Sequence, residues 1–321
     1  MEKDKQGPYS PIFGLLSGIL AVSSASLLIR FSQREASSLV IAAFRMALAA
    51  LIVAPFCLGK FKREILKTQK KTILLLILSG LFLAFHFAFW ITSLEYTSVA
   101  SSVVLVTTAP LWVALLSPVF LKEKLSRWII IGLAVSLAGS IVVGLSSSCG
   151  LAQGGIACEG FASAFQGRAF IGDLMALAGA FLSGGYLMVG RKVRGEVSLS
   201  SYIFSVYSVS ALVLMTLVLI TGARITGFSG QTYLWMIALA IVPQIIGHSV
   251  FNWALKYLSA AYVSIALLGE PVGTVILTMI FLRELPAIME LVGGVLILVG
   301  IFLATRVEKS APELVESEVL Q

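Results

Sequence analysis

Apolar residues run through this chain in blocks of about 20, parted by short polar stretches, and the blocks recur ten times. A hydrocarbon core about 30 Å thick takes roughly 20 helical residues to cross, so each block predicts a membrane-spanning helix. The predicted spans are Ile12–Ile29, Ser38–Leu58, Thr72–Leu94, Val99–Leu121, Trp128–Leu145, Phe170–Val189, Tyr202–Thr221, Thr232–Leu255, Ala260–Leu282 and Ile288–Thr305. None alternates apolar with polar residues as a barrel strand must. The pattern therefore predicts an all-α membrane protein with ten transmembrane helices.

The spans also repeat. A shift of 161 positions lays Gly18 on Gly179, Arg30 on Arg191, Tyr96 on Tyr257 and Pro110 on Pro271. The same shift lays Phe120-Leu121-Lys122-Glu123 on Phe281-Leu282-Arg283-Glu284, and Gly132 and Gly139 on Gly293 and Gly300. In the second span the register slips by two, so that Ser37-Ser38 meets Ser200-Ser201. Five helices per repeat is an odd number, so the second copy must enter the membrane upside down. The expected organisation is a first repeat over 12–145, an outer loop over 146–169, a second repeat over 170–306 and a cytoplasmic tail over 307–321. Lys3 and Lys5 ahead of the first span also fit a signal peptide, but that span has a counterpart in the second repeat and is expected to be retained. The tail carries Glu308, Glu313, Glu316 and Glu318 and is assigned no function.

Composition agrees with lipid as the main solvent. Hydrophobic residues make up 58% of the chain and charged residues 12%, with a mean hydropathy of +0.99. Soluble domains carry about a quarter charged residues. A formal net charge of +7 would suit nucleic acid, but the basic residues sit in short loops between apolar runs, which is a mark of topology. With the N-terminus inside, 17 of them fall on the inner side, among them Lys60, Lys62, Arg63, Lys67, Lys70 and Lys71. Arg30, Arg34, Arg168, Arg224 and Arg283 fall outside, and Arg45 lies within a span. The distribution predicts a multi-pass protein of the cell inner membrane with both termini in the cytoplasm. Cys57, Cys149 and Cys158 form no metal-binding pattern. Cys149 and Cys158 flank a Gly-rich stretch of the outer loop, and a disulfide and two free thiols are both open readings.

The segments Pro110 through Gly139 and Glu270-Pro271 through Gly300 resemble the two signature stretches of the EamA family, within the drug/metabolite transporter superfamily. The shared features are a Pro in the fourth and ninth helices, an end reading Phe-Leu-x-Glu, and glycines seven apart in the next helix. Gly172-Asp173-Leu174 resembles the opening of a second repeat. The likeness runs from about Gly14 to Thr305. It implies export of amino acids, other metabolites or drugs, without a shared binding signature. Glu270 has Ala109 as its counterpart, so polar chemistry at the midplane is expected to be one-sided.

An ionisable side chain costs about 2.5–3.5 kcal/mol in the middle of a membrane helix and asks for a reason. Glu270 falls near the middle of span nine, with Thr274 and Thr278 on its face. Pro271 removes a backbone N–H beside it, and Pro110 is its mate in span four; both are candidates for a helix break or gate. Desolvation favours the neutral form of a carboxyl, which suits proton coupling; packing against a neighbouring helix is the plainer role. Arg45 either pairs with Glu270 or a substrate anion, or snorkels to headgroups. His86, Trp90 and Ser93 share a face of span three, while Gln244, His248 and Asn252 recur every four residues along span eight. Each set lines a cavity or hydrogen-bonds between helices. Trp90 and Tyr207 could stack on an organic substrate. Glu123, Glu284 and Asp173 read as helix caps, with Ser126 as an N-cap and Pro286 as a first-turn residue, and the paired glycines read as packing seams.

A secondary transporter of small organic solutes is the expected function, with efflux and proton coupling as expected features. A flippase for lipid headgroups or lipid-linked sugars is the alternative, and an integral-membrane enzyme is disfavoured because no His-Glu-x-x-His, Gly-x-Ser-x-Gly or P-loop occurs. The expected partners are a small-molecule substrate, the lipid bilayer and protons, with a homodimer left open. No cofactor, metal or nucleic acid is expected. Impermeant thiol reagents on single-cysteine variants should find the Lys60–Lys71 loop on the cytoplasmic side; external labelling there would reject the topology and the inverted repeat with it.

Overall fold

Short polar side chains set where several helices begin. Ser98, Ser198 and Ser229 stand in extended backbone, and each hydroxyl oxygen accepts from the N–H three residues on, at Ser101 (2.9 Å), Ser201 (3.3 Å) and Thr232 (3.2 Å). The computed structural model describes residues 11–120, 127–145, 149–152, 155–158, 167–258, 260–267 and 269–305. Lys3, Lys5, Lys122, Glu123, Ser126 and the acidic tail lie outside them.

The first half contains α1 (Pro11–Ser23), α2 (Ala25–Ser32), α3 (Ser38–Ile65), α4 (Lys70–Ser93), α5 (Val99–Val106), α6 (Ala109–Phe120) and α7 (Arg127–Leu145). Strands β1 (Cys149–Ala152) and β2 (Gly155–Cys158) follow. The second half contains α8 (Arg168–Val193), α9 (Leu199–Thr221), α10 (Gly230–Leu239), a π-helical stretch (Ala240–His248), α11 (Ser249–Ala254), α12 (Ala260–Ala266), α13 (Gly269–Phe281) and α14 (Ile288–Thr305). Among the described residues, seven stretches are long and apolar enough to cross a bilayer. Three shorter apolar segments, Ile130–Val143, Gly269–Phe281 and Ile288–Gly300, lie in α7, α13 and α14. Leu20, Phe56, Leu212 and Ile220 are among many large apolar side chains left exposed, a surface that suits hydrocarbon. The chain is a multi-pass helical membrane protein.

The structure departs from the sequence expectation in several places. The loop between the halves is not purely irregular: β1 and β2 pair antiparallel with Cys149 opposite Cys158. Runs one, four and nine are broken helices, interrupted at Ser24, at Thr107-Thr108 and after Ala266. In run four the cause is local. The Thr107 hydroxyl donates to the Val103 and Val104 carbonyls and the Thr108 hydroxyl to that of Leu105 (2.7 Å), and Pro110, just inside α6, has no N–H to continue the ladder. Helix α3 runs past Leu58 to Ile65 because Lys60, Lys62 and Arg63 carry it beyond the apolar zone.

Glu284 and Asp173 do not cap their own helices. Glu284 accepts from the N–H of Val99 at the start of α5 (2.8 Å). Asp173 lies in the second turn of α8 and accepts from the hydroxyls of Thr97 (2.8 Å) and Ser101 (2.7 Å). These bonds belong to a set that ties helix ends together. At the same end of the bundle, Ser38 donates to Glu95 through its N–H (2.9 Å) and Arg30 to the Thr97 carbonyl (3.1 Å). Ser229 there donates its N–H to Glu35 (2.7 Å), and that bond, with a weaker one from the Ser229 hydroxyl, holds the Glu35 carboxyl below the ordinary range. At the opposite end, Glu64 accepts from the N–H (3.2 Å) and hydroxyl (2.9 Å) of Ser198, Thr72 donates to Glu196, and Arg191 reaches the Leu255 carbonyl (2.8 Å).

Between these ends α3 packs along α9, α4 along α8, and α7 along α14, while α1 lies against the π-helical stretch and α13. The α7–α14 seam requires glycine. A Cβ on Gly139 would sit 2.7 Å from the Gly293 carbonyl oxygen, and one on Gly300 2.6 Å from that of Gly132. Close backbone approach of this kind is how apolar helices gain packing in lipid. Gly139→Val should therefore lower thermal stability in detergent by about 1–3 kcal/mol, whereas Gly59→Ala, with nothing within 4 Å of the added Cβ, should be nearly silent. Equal melting temperatures for the two variants would contradict the seam.

Candidate functional site

The irregular segments meet. Thr107 at the α5–α6 break, Leu267 at the α12–α13 break and His248 at the end of the π-helical stretch all border one cavity, together with His86, Trp90, Pro110 and Glu270. At the α1–α2 break, the Ser23 hydroxyl donates to the Ile19 carbonyl (2.8 Å) and lies 3.4 Å from the carbonyl of Glu270. The cavity measures about 30 Å³, the share of liquid volume of about one water molecule. Such a space is too small for an organic solute in this conformation.

Glu270 and Pro271 occupy the first turn of α13, not the middle of a continuous helix. Pro suits that position because the first-turn N–H has no helical acceptor anyway. Pro110 holds the corresponding place at the start of α6. Thr274, one turn beyond Glu270, is fully buried but faces α1, where its hydroxyl donates to the Ser23 carbonyl (3.0 Å).

Arg45 is 0% exposed and does not snorkel. Its Nε donates to Oε1 of Gln244 (2.9 Å), and its guanidinium lies 4.1 Å over the Phe87 ring and 5.9 Å from that of Trp90. Neither Nη1 nor Nη2 has a hydrogen-bond partner. Glu270 is within electrostatic reach of Arg45, yet the one ion pair closer than 4 Å among the described residues is Lys60–Glu64. His86 Nδ1 is 2.9 Å from the Gly179 carbonyl, which can only accept, so the proton sits on Nδ1. Its ring stacks on Trp90 at 5.8 Å and 13°. The Trp90 Nε1–H is buried without a partner, and His248 meets Phe87 edge-on at 5.4 Å.

The polar stripe of run eight divides. The π-helical stretch contains Pro243 and has a wider turn than an α-helix, so residues four apart take different bearings. Gln244 meets Arg45, His248 reaches the cavity, and Asn252 in α11 meets the Tyr186 hydroxyl away from it. Asn252 belongs to a second buried polar cluster, in which Arg194 Nε donates to the Asn252 carbonyl (3.0 Å) and Ser79 pairs with the Tyr202 hydroxyl (2.8 Å). Sequence reasoning passed over that cluster, although Ser79, Tyr186 and Tyr202 were visible as polar groups in apolar runs. Tyr207 reaches the Gln244 carbonyl (3.2 Å) and Ser249 (3.1 Å), bracing the site from α9.

A guanidinium, a carboxyl, two imidazoles and two aromatic rings thus gather at broken helices in the middle of a bundle with an apolar exterior. That arrangement defines a polytopic membrane protein with a buried polar centre. The EamA-like transporter family matches the chain twice, over residues 10–145 and 170–306, and the chain belongs to that family. It is a membrane transporter. The uncharacterized transporter YxxF of Bacillus subtilis is 25% identical over 265 residues, 81% of this chain and 79% of its own. An uncharacterized transporter of Archaeoglobus fulgidus is 24% identical over 296 residues, 89% of this chain and 94% of its own. A protein of known crystal structure superposes with a TM-score of 0.62 at 19% identity, covering 92% of this chain and 96% of its own, which speaks for the fold alone.

Proposed function

We propose that the protein is a secondary transporter that exports small organic solutes by alternating access, coupled to protons through Glu270. The observation that carries the reading is a buried carboxyl on the wall of a small cavity where two broken helices and a π-helical stretch converge. Non-helical backbone at membrane depth is tolerated where it is buried in protein or lines a cavity, and broken helices at a repeat interface are the usual place for a transported solute.

The proposed frame is ten spans arranged as two inverted five-helix repeats. Contacts related by the 161-residue shift support it. Gly139 against Gly293 has its mate in Gly300 against Gly132, and Ser136 bonds the carbonyl of Ile297, its own counterpart (3.2 Å). Glu35 at the start of α10 is mirrored by Glu196 at the start of α4. The packing of α4 on α8 likewise has a mate in that of the π-helical stretch on α1. In the proposed orientation the end bearing Lys60–Lys71, Arg191 and Lys256 faces the cytoplasm of a cell inner membrane. The carboxylate bonds at the two ends then act as latches, one set on each side, and transport requires that they open in turn.

A thermal-shift screen of metabolites on purified protein should first yield a transported solute. In proteoliposomes, Glu270→Gln should then abolish accumulation driven by a pH gradient while leaving solute exchange at equilibrium. Gradient-driven uptake unchanged in the Gln variant would refute the coupling role and demote Glu270 to a packing residue.

A further inference from the structure

Among the described residues, Arg45 has two buried side-chain nitrogens without a hydrogen-bond partner. A guanidinium has five N–H donors, and here only Nε is engaged, by Gln244. Nη1 and Nη2 are buried with no acceptor, although the side chain is fixed at its root by Gln244 and on its face by Phe87. A structural ion pair would fill that fork, as a buried charge is tolerated when it is paired. Glu270 is the obvious candidate, but it forms no ion pair with Arg45 and borders the cavity instead. Arg45 is not itself among the residues lining the cavity, but its guanidinium lies 5.9 Å from the ring of Trp90, which is, so the unfilled fork is one side chain removed from that space.

We propose that the transported solute bears a carboxylate, which docks two-pronged on Nη1 and Nη2 of Arg45. This rests on the transporter reading above and names the chemistry of its substrate. A planar fork of N–H groups matches a carboxylate in geometry. Charge favours a monoanion: no Lys or Arg lines the space itself among the described residues, Arg45 stands just behind that lining, and Glu270 is within its electrostatic reach. A phosphate dianion would need more positive charge than one guanidinium supplies. The buried Trp90 Nε1–H is a second open donor beside the first, and the rings of Trp90, His86 and Phe87 offer apolar faces to the solute's organic body. The cavity is too small for such a molecule as it stands, so docking belongs to a conformation in which one end of the bundle has parted.

The test is binding to purified full-length protein by thermal shift and calorimetry. The probes are lactate, pyruvate, benzoate and phenylacetate, each beside its neutral amide, with inorganic phosphate as the dianion. At least one acid should stabilise the protein where its amide does not. Arg45→Gln should weaken that binding about tenfold or more, and Arg45→Lys, which keeps charge without the fork, should recover only part of it. If Arg45→Gln fails to fold, the acid-against-amide comparison on the unaltered protein decides alone. Amides binding as well as acids, phosphate binding better than either, unchanged affinity in Arg45→Gln, or no stabilisation by any acid would each overturn the proposal. Transport of neutral or cationic solutes in proteoliposomes alongside such a result would leave the transporter reading standing. Failure of the protein to move any solute would instead defeat that reading.

Discussion

A backbone N–H or C=O stripped of its partner in hydrocarbon costs several kcal/mol, and this chain interrupts its helical ladder in three runs and widens it in a fourth. Each irregularity is housed inside the bundle. Ser23, Thr107 and Thr108 return their hydroxyls to carbonyls of the preceding turn, and Pro110 and Pro271 stand where a helix has no N–H to lose. Because these segments must avoid lipid, they must face one another, and the polar side chains beside them are gathered into a single centre. The cavity and the Glu270 carboxyl on its wall follow from where the backbone is allowed to break, whereas Arg45 is brought beside them by the continuous helix α3.

The rest of the architecture holds the bundle together in two different ways. The α7–α14 seam is a backbone contact that leaves no room for a side chain, and α3–α9 forms another long interface. The helix ends are held differently, by carboxylates accepting from hydroxyls and N–H groups across the bundle. Several of these sit at partly exposed positions, where water can replace either partner at little net cost. Rigid seams through the middle and exchangeable bonds at both ends are what rocking of one half against the other would need. On the proposed reading, the solute binds at Arg45 and a proton at Glu270, each reaching the centre when one end of the bundle has parted.

Much of this was legible in the sequence because lipid imposes a simple rule on it. Apolar runs of helical length marked the seven stretches that are long enough to cross a bilayer, short basic loops marked the ends that cluster together, and Pro110 and Pro271 marked two of the breaks. What was not legible depends on partners far along the chain. Nothing near Ser24 announces an interruption, and the π-helical stretch moves Gln244 and His248 off the common face that α-helical spacing implies. Asn252 and Thr274 have the same polar character as His248 but are drawn to Tyr186 and Ser23. Glu284 and Asp173 have the sequence setting of caps, yet their acceptors serve α5 and the turn before it. Local pattern located the polar groups; tertiary contact decided which of them share the cavity.

The central claim is that the cavity is reached from one side of the membrane at a time. Ser183 lines it, so a Ser183→Cys variant lacking Cys57, Cys149 and Cys158 can be oriented in proteoliposomes and exposed to an impermeant thiol reagent from either face. The account predicts labelling from one face in the absence of solute, with the balance between the two faces shifted by solute or by a pH gradient, and no conducting path at any time. Persistent labelling from both faces together with passive leak would indicate a pore, and resistance to labelling from both faces under every condition would contradict a central transport route.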